Sequence, residues 1–171
     1  IASGEVDEVV MGNVLGAGVG QAPARQAALM AGLSQSTCCT TVNKVCSSGL
    51  KAVTMAAQSI QLGHASVAVA GGMESMSRCP HYLPGSRQGY RMGHQKLVDG
   101  MIHDGLWDPK EQVHMGEIGE MCATKHAFTR QQQDDYAIES FRRAVAARDA
   151  GHFERDIAEI KVQNRKTKAW S

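Results

Sequence analysis

The chain has 171 residues, a formal net charge of +1 and only 5% aromatic residues. That length suits one ordinary domain with a core of its own. The balanced charge leaves no basic footprint for nucleic acid or a membrane surface, and no apolar run reaches the roughly eighteen residues of a transmembrane helix. The opening IASGEVDEVV lacks the basic region and apolar centre of a signal peptide. The five cysteines, Cys38, Cys39, Cys46, Cys79 and Cys122, are odd in number and contain no Cys-x-x-Cys pair. A disulfide framework or a structural zinc site is therefore not expected, and an intracellular protein with reduced thiols fits better.

Residues 7–12 form a β-branched run that reads as a strand. The Gly-rich GAGVGQAP follows, and Pro23 is suited to the first turn of an Ala-rich helix over 23–33. Residues 39–45 read as a second strand, and 47–63 as a helix with Leu50, Val53, Ala57 and Ile60 at helical spacing and Gly63 at its end. The nearly all-apolar 65–72 reads as a strand buried on both faces. This alternation predicts a layered α/β domain with a parallel sheet. After Gly72 the periodicity fades into a long loop region rich in Met, Arg, Gly and Pro. A short helix is expected within 94–108, another over 116–128, and the clearest one over 129–151. There Thr129 and Gln132 have capping-box spacing, and Asp134 and Asp135 precede Arg142, Arg143 and Arg148 as the macrodipole favours. Residues 156–163 alternate and read as a strand.

One position carries chemistry. Cys46 falls where the second strand gives way to the helix over 47–63. Unpaired N–H groups and the positive dipole end favour a thiolate there. The carboxyl end of a parallel strand is also where open α/β sheets place their sites. Ser47, Ser48 and Gly49 are small enough to let a substrate approach, and their N–H groups are candidates to hold an oxyanion. The alternative is a small packed residue at a tight turn, since cysteine is among the most buried types. The residues alone leave both open. His64, His81, His94, His103, His126 and His152 lack the spacing of a metal site or triad, and Arg78, Arg87 and Arg91 are read as exposed surface.

VNKVCSSGLKAV at 42–53, followed by VAVAGGMESMS at 67–77, resembles the thiolase family's segment around its acylated cysteine and the motif after its next strand. GNVLGAGVGQAPARQAALMAGL upstream, and GYRMG, LVDGMIHDGLWD, HMG and TRQQQDDYAIESFRRAVAARDAGHF downstream, are similar to further family segments in the family's order. The resemblance implies a thiolase-like layered αβα N-terminal domain with an inserted loop subdomain. Its core would occupy 1–76, with the first strand and helix missing, and the loop subdomain 77–171; the C-terminal thiolase domain would be absent. It implies an acyltransferase in which Cys46 takes the acyl group, with His114, Met115 and Leu106 near the coenzyme A thioester. The substrates would be acetyl-CoA and acetoacetyl-CoA, since the stretch from GYRMG to HMG is most similar to the branch acting on acetoacetyl-CoA; broader 3-ketoacyl-CoA thiolases are the alternative. No metal and no cofactor beyond that substrate are implied, nor a nucleic-acid or membrane partner. A homodimer or homotetramer in the cytoplasm or mitochondrion is expected. Competing classes are a ketoacyl synthase acting on carrier-protein thioesters, which leaves GGMESMS and HMG unexplained, and a catalytically inactive thiolase-like lipid-binding protein, against which the intact Cys46 stands.

The chain departs from the family in two respects. Gly119 and Met121 stand where HMG is more often followed by Ala and Asn, and the NEAF, GHP and C-x-G-x-G motifs that complete the family's catalysis do not occur. An internal fragment of a longer thiolase is expected. Without a base for the second acetyl-CoA, the 171-residue chain is expected to alkylate at Cys46 yet show no acetoacetyl-CoA cleavage in a thiolysis assay; robust turnover would count against the fragment expectation.

Overall fold

The computed structural model describes residues 1–163. They form two compact units, 1–117 and, among the described residues, 118–163. The first holds a parallel three-stranded sheet of β1 (Glu8–Gly12), β2 (Cys38–Val42) and β3 (Ala68–Gly72), in the order β2-β1-β3. Glu8 pairs with both Cys38 and Ala68, so all three strands end together at Gly12, Val42 and Gly72. The expected alternation is therefore present, with strands trimmed at their ends. The second expected strand stops at Val42 because Val45 adopts a left-handed φ of 50°, which no strand accommodates.

The pleat of β1 divides the core between two helices. Val9 packs with Ala28 of α1 (Pro23–Met30), and Ala24 N–H donates to Thr41 Oγ1 at 3.1 Å on the same face. Gly12 lies on the other face, against the first turn of α2 (Ser48–Gln61). Val10, between the two strand neighbours, is fully buried. Pro23 opens α1 as expected. At the opposite edge of the sheet, Asp7 accepts from Ser66 and Val67 N–H at 2.7 and 3.0 Å, which holds its carboxyl below the usual range and ties the entry of β3 to β1.

After β3 come two short antiparallel ladders, β4 (His81–Tyr82) with β5 (Val98–Asp99), and β6 (Trp107–Asp108) with β7 (Val113–His114). Residues 94–108 thus form strands and a π-helical turn, Ile102–Leu106, where a short α-helix is expected from sequence. Gly100 and Gly105 lower helix propensity there, and the Asp99 carboxylate starts the turn by accepting from Met101 and Ile102 N–H.

The second unit contains most of α3 (Met115–Lys125) and all of α4 (Arg130–Asp149). The capping box is formed: Thr129 Oγ1 accepts from Gln132 N–H at 3.2 Å, and Gln132 Oε1 accepts from Thr129 N–H at 2.9 Å. Ile138 and Phe141, on the expected apolar face, are exposed. Glu139 sits between Arg142 and Arg143, whose hydrogen bonds pull its carboxyl down to about 2. Of the strand expected over 156–163 the described residues show only a bridge at Gln163: residues 157–162 carry no regular structure, and Ile157 and Ile160 face solvent. Alternation marks a strand only where a ladder and a core receive it. The tail after Gln163 lies outside the described residues.

The tightest packing is between sheet and α2. A Cβ on Gly12 would lie 2.5 Å from the Ser48 carbonyl carbon and 2.6 Å from Gly49 N. Gly12→Ala is therefore expected to push α2 away from the sheet and cost about 1–3 kcal/mol, measured by urea unfolding, with Cys46 alkylation altered in parallel.

Candidate active site

Cys46 lies between the end of β2 and the N-cap of α2, Ser47. The chain reaches it through a strained turn. Val45 is β-branched and holds φ at 50°, a conformation that costs on the order of 1–2 kcal/mol. Four hydrogen bonds hold it. Asn43 Oδ1 accepts from Val45 N–H at 2.9 Å, and Val45 carbonyl accepts from both Ser48 N–H at 3.0 Å and Ser48 Oγ at 2.6 Å. Ser48 Oγ in turn accepts from Lys44 N–H at 2.8 Å. Ser48 is buried, so the bonds of its hydroxyl are partly shielded from water, while the Asn43–Val45 bond is exposed.

The strained turn presents the thiol outward. Cys46 is free and exposed, which removes the alternative of a packed turn residue. It borders an open depression of about 280 Å³ with Gly12, Val14, Ser48, Met73 and Glu74. The expected oxyanion role of neighbouring N–H groups is narrowed. Ser47 N–H donates to Lys44 carbonyl at 3.2 Å, and Ser48 N–H to Val45. Both donors are thus already engaged within the turn.

Leu106, His114 and Met115 lie near one another in the backbone at the end of the β6–β7 ladder, away from Cys46. Trp107 pairs with His114 across the β6–β7 ladder, which sets Leu106, the last residue of the π-turn, beside Met115, the first residue of α3. His114 is half-buried, and its Nδ1 accepts from Gly116 N–H at 3.1 Å. The imidazole is thereby set as the tautomer with its proton on Nε2, a donor aimed away from its own backbone. None of the three borders the depression at Cys46.

The sequence profile described as "Thiolase, N-terminal domain" matches residues 1–170. The chain belongs to the thiolase family. It is 60% identical to Acetyl-CoA acetyltransferase 2 of Arabidopsis thaliana over 157 residues, 92% of this chain and 39% of that protein. It is 53% identical to Acetyl-CoA acetyltransferase of Cupriavidus necator over 162 residues, 95% of this chain and 41% of that one. The crystal structure of Acat5 thiolase from Ascaris suum in complex with coenzyme A superposes with a TM-score of 0.86 at 43% identity, covering 95% of this chain and 41% of that one. The chain thus spans about two fifths of the relatives it matches. The α/β class expected from strand–helix alternation is the class of this thiolase domain.

Within this thiolase chain, sequence reasoning missed the residues that hold the site. Gly12, Asn13, Asn43 and Glu74 carry no chemistry of their own to announce them. The available signal was position: each ends a strand or lies within two residues of a strand's end at the sheet's carboxyl edge. A second missed feature lies near Leu106. The Tyr82 ring covers Gly100, where a Cβ would come within 2.5 Å of it, and its hydroxyl donates to the Asp104 carboxylate in the π-turn. That bond, aided by burial, pushes the Tyr82 hydroxyl from the ordinary 10 up to about 12. The folded pKa is raised, so the tie contributes fully below pH 10 and is lost as pH climbs through about 12. An ultraviolet phenolate titration is expected to show a step near pH 12 that Tyr82→Phe abolishes; an unchanged titration in that variant would assign the step elsewhere.

Proposed function

We propose that the whole protein, of whose relatives this chain spans about two fifths, acts as an acetyl-CoA C-acetyltransferase, joining two acetyl-CoA molecules reversibly into acetoacetyl-CoA and coenzyme A through an acyl-cysteine on Cys46, with the chain by itself unable to turn over. The observation that carries this reading is the exposed Cys46 thiol on a strained turn at the start of α2 and the carboxyl edge of a parallel sheet. Helix N-terminus and strand end favour the sulfur as a nucleophile. The names of the relatives, and the coenzyme A held by the Ascaris thiolase, support the substrate class.

In the first half-reaction Cys46 Sγ attacks the thioester carbonyl carbon. An Sγ–carbon bond forms, the bond to the coenzyme sulfur breaks, and the departing thiolate takes up a proton. One thioester replaces another, so the exchange is nearly balanced in energy. In the second half a base removes a proton from the methyl of another acetyl-CoA. The resulting carbanion bonds to the acyl carbon, and the electron pair of the breaking Sγ–carbon bond returns to sulfur. His114 suits the bound thioester or its pantetheine amides, because its Nε2–H is a fixed donor. Leu106 and Met115 offer apolar surface to the pantetheine arm. The same reading places the protein inside the cell, where five free cysteines stay reduced, and makes it a homodimer or homotetramer. Cytoplasm and mitochondrion are both compatible with it.

Cys46→Ala is expected to abolish the acid-stable acetyl adduct formed on mixing with labelled acetyl-CoA, and to lower the acyl-transfer rate by a factor of about 10⁴ or more. A surviving covalent adduct in that variant would refute the assignment of Cys46.

A further inference from the structure

Glu74 follows β3 by two residues and borders the same depression as Cys46. Its two carboxylate oxygens are both occupied by the segment that leaves β1. Oε1 accepts from Asn13 Nδ2 at 2.9 Å and from Leu15 N–H at 3.0 Å, and Oε2 accepts from Val14 N–H at 2.8 Å. Asn13 Nδ2 also donates to Met73 carbonyl at 3.1 Å. A carboxylate held by three N–H groups is fixed in place, and it fixes them.

The peptide unit between Val14 and Leu15 is the link to the turn. Its N–H donates to Glu74, and its carbonyl accepts from Asn43 Nδ2 at 3.4 Å. The other end of the Asn43 amide, Oδ1, accepts from Val45 N–H. An unbroken run of hydrogen bonds thus leads from Glu74 through one peptide group and one side-chain amide to the left-handed Val45, the residue before Cys46. Such runs polarise and orient each successive member.

We propose that Glu74 is a positioning residue for the Cys46 turn, acting through the Val14–Leu15 peptide and Asn43. A carboxylate is required because both of its oxygens accept. A Gln at this position offers one oxygen and one NH₂, and the NH₂ must face an N–H donor in either orientation. The strained Val45 then loses the far end of its support. The inference rests on Cys46 as acyl acceptor only where acetylation is the readout.

The test is a double-mutant cycle of Glu74→Gln and Asn43→Ala on the whole chain, read by amide exchange at Val45 and by iodoacetamide alkylation at Cys46 resolved by mass spectrometry. Each single variant is expected to speed Val45 exchange and slow Cys46 alkylation by about tenfold, and the double variant to be no worse than either alone, because both break one route. Exchange at Val10 in the sheet centre is expected to stay within about twofold, since the route does not support that ladder. Wild-type Val45 exchange in Glu74→Gln, or effects that multiply in the double variant, would overturn the proposal and leave Glu74 as a tether of residues 13–15 alone. If Glu74→Gln does not fold, Glu74→Asp, which keeps two acceptors on a shorter arm, is expected to shift both readouts in the same direction by a smaller factor; no shift overturns the proposal. Single-turnover acetylation by acetyl-CoA gives a separate arm. Absence of a wild-type acetyl adduct there counts against the proposed function, while the exchange and alkylation cycle still decides the role of Glu74.

Discussion

At the carboxyl edge of the sheet, the backbone of α2 approaches Gly12 so closely that no side chain fits between them. A Cβ there would sit 2.5 Å from a Ser48 backbone atom, and on the neighbouring strand a Cβ on Gly72 would come to 3.4 Å from Gly49 Cα, a looser fit. This approach lets the first turn of α2 rest on the ends of β1 and β3. Everything distinctive about the site follows from it. The helix start is fixed relative to three strand ends, and the residues between β2 and α2 must close a short, steep gap. Val45 takes the strain of that closure, and Cys46 is lifted into the open.

The polar groups around the turn make that geometry stable. Asn13 N–H donates to Val42 carbonyl at 3.1 Å, and Met73 N–H donates to Gly12 carbonyl at 2.9 Å, so the loops after all three strands are stitched together. Glu74, Asn43 and Ser48 continue the stitching inward. Stored backbone strain of about 1–3 kcal/mol persists only where such surroundings over-determine it. The arrangement separates two tasks. The sheet edge presents the Cys46 thiol, while the β6–β7 ladder holds His114, with Leu106 and Met115 at its open end.

Much of the layered core was legible because buried parallel strands have a plain signature. The runs at 7–12 and 65–72 became β1 and β3, but only β1 is buried: β3 is trimmed to Ala68–Gly72 with Val69 exposed, so the covering of both faces expected for 65–72 is not seen. Pro23 and the Thr129–Gln132 pair were legible because capping depends on residues within one turn. Elsewhere, local signals misled. The alternation at 156–163 promised a strand, yet a strand is completed by a neighbour. Within 94–108 a short helix was legible, but not its π form or the two-residue strands on either side of it.

By itself the sequence determined the order of the elements, the family, and the presence of a thiol at a strand-to-helix junction. Those are matters of short-range pattern, readable from neighbouring residues along the chain. Only the tertiary structure decided that Val45 is left-handed, that Ser47 and Ser48 N–H groups serve the turn, and that Glu74 faces the loop after β1. Glu74 and Val14 are sixty residues apart, and no local preference joins them. They meet because strands β1 and β3 lie side by side in register and end at the same edge.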